Sequence, residues 1–188
     1  MRKLVQYGAM IAAGSGMLAA QWLKLPVERA EFRAEPLTVA RMESTIDAEA
    51  EFRRNQVDER AARAVLAGFA CGEEIPRSVA RNAHAHNLPA RLVAAQILVE
   101  SSCQPSVVSP AGATGLMQVM PTVWKQYSRQ ELMNPEKNIA AGTKILGQYC
   151  GQAGSYRGGL RLYFGVSADS DQADIYADKV LAIAGRKN

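Results

Sequence analysis

The sequence predicts an all-α protein, and three observations predict it. Alanine is abundant while aromatic residues make up only 6% of the 188 residues, a balance that favours helix packing. Apolar residues recur at helical spacing in several segments, each bounded by a proline, asparagine or serine that starts or stops a helix. No segment alternates apolar and polar residues as a half-buried strand does, and no internal repeat is present. The length suits one compact domain with an extension.

The extension comes first. Arg2 and Lys3 precede an apolar stretch from Leu4 to Leu23. Basic and hydrophobic regions in this order resemble a secretory signal, but Leu18-Ala19-Ala20 is a poor cleavage site. About 20 residues are just enough to span a bilayer. Residues 1–27 are therefore expected to hold a signal-like or membrane-inserting segment, with 4–23 entering the membrane.

Residues 28–67 differ in character. Nine acidic and seven basic residues fall here, and the acids are half of the 18 in the chain. Pro36 suits a first helical turn, and no further proline or glycine follows until Gly68. Val39, Met42 and Ile46 give a thin apolar stripe, which Phe52, Val57, Val65 and Leu66 extend unevenly. Two readings stay open: a helical stalk that binds a protein partner, and a solvated helix lying on the domain.

Residues 68–188 read as a run of helices. Pro76 opens one, and Asn87-Leu88-Pro89 stops it and starts the next. Asn134 is placed as N-cap before Pro135, with Ile139, Thr143 and Leu146 on one face. Ser170 or Asp171 can cap a last helix in which Tyr176, Val180 and Ile183 recur.

Net charge is +4 and the isoelectric point is near 9.1. That is a weak preference for an anionic partner, and no Lys/Arg run interleaved with aromatics supports nucleic acid, which is not expected to bind. No CxxC or His/Cys spacing suggests a metal, and His84 and His86 stand alone, so neither metal nor cofactor is expected. Cys71, Cys103 and Cys150 allow one disulfide and leave one thiol, with the pairing open.

The helix from Pro89 to Ser101 carries the chemistry. Val93 and Ile97 are four apart and Glu100 is three further on, so the glutamate shares a stripe with apolar residues. Desolvation there disfavours the charged carboxylate and raises its pKa, as a general acid near neutral pH requires. Gln104-Pro105 ends the helix, and Ser109 to Gly115 is a loop of small residues that allows close backbone approach to a ligand. Leu116 to Pro121 then mixes apolar side chains with one amide, the mixture a sugar-binding groove needs. Of Met117 and Met120, three apart, one is expected in the core.

Three ordered motifs carry a family resemblance: Glu100-Ser101, Ser109-Pro110-Ala111-Gly112-Ala113, and Gly115-Leu116-Met117-Gln118-Val119-Met120-Pro121. Asn134 to Gly142 adds a fourth. Together they resemble the lytic transglycosylase domain of the soluble (SLT) type, over roughly Ile75 to Leu181. The resemblance implies a lysozyme-like helical fold. It implies cleavage of the β-1,4 bond between N-acetylmuramic acid and N-acetylglucosamine in peptidoglycan strands, leaving a 1,6-anhydro end. It makes Glu100 the catalytic acid and then base. Ser101 would set the local hydrogen bonding, and Met117 and Gln118 would line the groove, with Ser109, Gly115 and Tyr163 also counted as substrate-binding. Phe164 stands where the family has asparagine after its tyrosine, which puts a polar contact in doubt. Tyr176 matches an aromatic of the terminal helix, where a structural role competes.

An ordinary retaining glycosidase needs a second carboxylate about 5 Å from the first. The next acid after Glu100 is Glu131, so the groove-forming segment supplies none, although Asp169, Asp171 and Asp174 remain candidates in space. A single-carboxylate route fits that pattern. Rival readings are a goose-type lysozyme-like hydrolase, a phage ejection protein with a wall-degrading domain, and a wall-binding module without activity. The expected location is the periplasmic side of the cell envelope with an inner-membrane anchor, or a phage virion that delivers the domain to the host periplasm.

Overall fold

A computed structural model describes residues 39–165 and 171–186. The expectations for residues 4–23 and for Asp169 lie outside the described residues. Residues 39–188 form one compact unit, beginning at Val39 rather than at 68. Seven helices are described: α1 (Val39–Leu66), α2 (Ile75–Ala85), α3 (Ala90–Ser101), α4 (Arg129–Leu132), α5 (Pro135–Ala153), α6 (Tyr156–Phe164) and α7 (Asp171–Ala184). The only extended pairing among the described residues is two isolated bridges, Val108 to Thr114 and Thr114 to Val119. The fold is all-α, as its sequence predicts.

Helix α3 is the centre. Leu92, Val93, Ala94, Ala95, Ile97 and Leu98 are all buried, so it is apolar nearly all round and needs neighbours on every side. It packs against α1, α2 and α7. Helix α5 packs on α2 and α6, and α6 on α7, which closes the ring of helices around the site.

The sequence signals for starts and stops hold. Pro76 lies in the first turn of α2, and Asn134 caps α5 by accepting from the Lys137 amide at 3.1 Å. Ile139, Thr143 and Leu146 are fully buried, as their spacing requires.

The apolar stripe expected along α1 is corrected at three positions: Ile46, Phe52 and Val57 are 62%, 62% and 64% exposed. Among the described side chains of α1, those that reach the core come from its C-terminal turns, buried Ala62 and Leu66 with Val65 beside them. The remainder carries exposed charges, including the Arg53–Glu49 pair one turn apart.

Two elements were not anticipated from the sequence. Helix α4 is a single capping-box turn, in which Ser128 accepts from the Glu131 amide and Glu131 accepts from the Ser128 amide. Helix α6 contains Gly158 and Gly159, two poor helix formers in succession. Gly159 is there for contact: a Cβ would lie 2.4 Å from Cys150 Sγ and 2.7 Å from its amide nitrogen, so only glycine lets α6 meet α5.

The open cysteine pairing resolves as Cys71–Cys103, leaving Cys150 half-buried and free. The bridge spans a sequence separation of 32 and ties the α1–α2 loop to the turn directly after Glu100 and Ser101. A closed loop of that length is worth roughly 3–4 kcal/mol in chain entropy. It also holds Ser102 and Cys103, two successive non-glycine residues at φ 50° and 66°, a conformation that surrounding structure must enforce.

Candidate active site

Glu100 lies in the last turn of α3, and burial pushes its carboxyl up to about 7. Two hydrogen-bonding groups oppose that rise. Tyr176 of α7 donates to Glu100 Oε1 at 2.5 Å, and Gln96, one turn earlier on α3, also favours the charged form. Gln96 is fully buried, and its Nε2 donates to Tyr176 Oη at 3.2 Å. Burial and the facing Glu100 carboxyl push the Tyr163 and Tyr176 phenols well above their ordinary value, so both stay neutral donors.

The segment after α3 folds into a tight turn. Thr114 and Val119 exchange both backbone hydrogen bonds at 3.0 Å, and Gly115 begins the turn at φ +80°. Three helices grip it. Ser101 Oγ donates to Leu116 O at 2.9 Å from α3. Asn138 of α5 accepts from the Met117 amide at 2.7 Å and donates to Thr114 O and Leu132 O, both at 2.8 Å. Tyr163 of α6 donates to Met117 O at 2.8 Å. Side chains from three different helices thus fix the backbone of the turn.

Beside the turn runs an open groove of about 310 Å³, lined by Gln118, Met120, Val123, Tyr149, Tyr163 and Phe164 among others. Tyr149 meets Tyr163 edge-on at 6.4 Å, and the Phe164 ring lies 5.1 Å from that of Tyr176. Aromatic faces with a few polar tips suit a sugar strand.

The expected site residues therefore divide. Gln118 and Tyr163 line the groove, and Tyr163 faces Glu100 in the last turn of α3. Met117 is corrected from groove to core: it is fully buried, and its Sδ occupies the space where a Cβ at Gly142 would sit. Met120 is the methionine of the groove. Ser101, counted with the substrate-binding residues, is buried and gives its hydroxyl to Leu116 O, so it sets the geometry of the turn. Gly115 serves packing, since a Cβ there would lie 2.4 Å from Leu132 O and 2.3 Å from Asn138 Nδ2. Ser109 holds its own loop, accepting from the Ala113 amide at 3.0 Å.

The Phe164 position carries no polar contact to Glu100; its ring packs on Tyr176 instead. Gln96 is the residue that sequence reasoning missed, since nothing in the pattern of α3 marks it. Tyr176 was marked by the family resemblance, but its bond to Glu100 was not. Among the described residues, the acids that could have supplied a second carboxylate are occupied elsewhere or exposed. Asp174 pairs with Arg157 at 2.8 Å and Arg161 at 3.5 Å, and Glu131 with Lys137 at 2.7 Å. Asp171 lies exposed at the start of α7. Among the described residues no group of three His, Cys, Asp or Glu side chains is arranged to hold a metal.

Residues 77–168 match the family model described as Transglycosylase SLT domain. A transglycosylase of Enterobacteria phage PRD1 is 36% identical over 80 residues, 43% of this chain and 30% of that protein. An endo-type membrane-bound lytic murein transglycosylase A of Enterobacter sp. (strain 638) is 43% identical over 67 residues, 30% of this chain and 33% of that protein. The chain thus spans about a third of the length of the curated relatives it matches. Among solved structures, an inactive mutant of the lytic transglycosylase Slt from Pseudomonas aeruginosa aligns with a TM-score of 0.52 and 25% identity, over 57% of this chain and 22% of that one.

Proposed function

We propose that this chain, whose residues 77–168 carry a transglycosylase SLT domain, is a peptidoglycan lytic transglycosylase. Its substrate would be the β-1,4 bond between N-acetylmuramic acid and N-acetylglucosamine. The observation that supports this most is the half-buried Glu100 carboxyl, pushed up to about 7 and facing Tyr163, which itself lines a groove of aromatic rings and one amide.

The chemistry needs one group that gives a proton and later takes one back. Protonated Glu100 donates to the leaving glycosidic oxygen as the bond to the muramic acid C1 breaks. The substrate's own acetamide stabilises the cation. The 6-hydroxyl then closes on C1, and the Glu100 carboxylate accepts its proton. Acid and hydroxyl balance, and no water is consumed.

Digestion of purified peptidoglycan sacculi, followed by mass spectrometry of the released muropeptides, tests the assignment. Glu100 must enter the reaction protonated, so release should fall about tenfold per pH unit well above 7. An absence of muropeptides sinks the activity. Release that stays flat from about pH 6 to pH 9 removes Glu100 as the acid.

The reaction belongs at the cell wall, in keeping with membrane-bound and phage transglycosylases among the relatives. We infer further that residues 4–23 insert into the membrane on the periplasmic face. The full chain should then float with liposomes while a chain beginning at Val39 stays in the aqueous fraction. Equal behaviour of the two ends the anchor reading.

A further inference from the structure

We propose that Gln96 is a positioning residue: its buried amide fixes the direction of the Tyr176 hydroxyl, so that Glu100 carries its acidic proton on Oε2. The inference rests on the reading of Glu100 as the acid and says which oxygen of that acid is used.

The surroundings make Gln96 conspicuous. Val93, Ala94, Ala95 and Ile97 around it on α3 are fully buried and apolar, and an apolar residue would serve the packing at position 96 at least as well. Instead a fully buried amide stands there, and its Oε1 accepts no hydrogen bond among the described residues. A buried polar atom without a partner costs stability that a core position does not return. The other end of the amide explains why the group is there. Nε2 donates to Tyr176 Oη at 3.2 Å, and Tyr176 Oη donates to Glu100 Oε1 at 2.5 Å.

A phenol has one proton to give and accepts through its lone pairs. An amide N–H offered to Oη occupies a lone pair and leaves the hydroxyl proton to point at Glu100. The amide does not titrate, so this polarity persists across the working pH range. Oε1 is thereby committed as an acceptor whether Glu100 is charged or neutral. The acidic proton is left to Oε2, and one microstate of the acid is selected. The other titratable groups facing this carboxyl are Tyr163 from α6, with Tyr149 of α5 edge-on behind it, and both are phenols.

The experiment is a carboxyl-carbon NMR titration of Glu100 in the whole protein without substrate, paired with turnover on sacculi. Gln96→Met keeps length and replaces the amide with an apolar group that suits the core. Loss of the donor should raise the Glu100 midpoint by at least about 0.5 pH unit. It should lower turnover at least about fivefold with KM little changed, a split that a merely structural role would not give. Tyr176→Phe supplies the cycle: with the hydroxyl gone, Gln96→Met should move the midpoint by clearly less than it does in the native protein. An unmoved midpoint in folded Gln96→Met overturns the proposal, as do additive shifts in the double variant. Wild-type protein that releases no muropeptide overturns the transglycosylase reading alone, and the titration still decides on Gln96.

Discussion

Glu100→Gln should reduce muropeptide release by at least about a hundredfold while leaving the fold intact. The amide fills the same space but can neither donate the acid proton nor recover one from the 6-hydroxyl. Its effect on stability has a sign that separates lost chemistry from lost structure. The folded-state carboxyl sits near 7, raised from 4.5, so the native protein is stabilised below the unfolded value and loses that contribution as pH rises through 7. Each tenfold change in the acid constant corresponds to about 1.4 kcal/mol, so ionising the buried Glu100 at pH 8 costs a few kcal/mol. The neutral amide escapes that cost. Glu100→Gln should therefore melt above the native protein at pH 8, with the gap shrinking towards pH 5. A dead variant that melts lower at both pH values would show misfolding rather than a missing acid.

Asn138→Ala should be the most damaging single change outside the carboxyl. One fully buried side chain bonds the Met117 amide, Thr114 O and Leu132 O, and truncation strands the Met117 amide and Leu132 O, while Thr114 O keeps only the Val119 amide. At about 1–3 kcal/mol for a stranded group with partial relaxation, the loss should come to roughly 3–5 kcal/mol. That corresponds to a fall in Tm of roughly 10 °C for a chain of this size. Activity should fall with it, because the turn from Thr114 to Val119 shapes the groove. Asn138→Asp is the sharper test of the account. It keeps an acceptor for Met117 but turns the amide that faces two carbonyls into an oxygen, so it should be no milder than alanine. A thermal scan showing either variant within about 1 °C of the native protein would contradict the role given to Asn138.

Local signals in the sequence located the acid and its loop. The spacing Val93, Ile97, Glu100 placed a carboxyl on a buried stripe, and the segment from Ser109 to Pro121 announced a turn by its small residues. The Asn134 cap was legible for the same reason: capping is settled within four residues. What surrounds Glu100 was not legible. Tyr176 approaches from 76 positions along the chain, and neither its periodicity nor its match to a family aromatic gives its contact with Glu100. Gln96 looked like a tolerated polar residue until α7 supplied its partner. The disulfide shows the same limit, since three cysteines permit three pairings and only the folded chain brings Cys71 to Cys103. The reading of Met117 failed because a motif gives a position and not a side-chain direction. The bare Gly142 on α5 draws the thioether inward.

Digestion in heavy-oxygen water tests the central claim most directly, because it follows the atom on which the mechanism turns. Among the described residues no second carboxyl stands ready as a base to activate water, whereas the 6-hydroxyl is tethered to the reacting ring at high effective concentration. Mass spectrometry should therefore find the new muramic acid ends in the anhydro form, unlabelled and lighter by one water than a hydrolysed end. Ends that carry heavy oxygen as the main product would identify a hydrolase and contradict the transglycosylase assignment, even with Glu100 still serving as the acid.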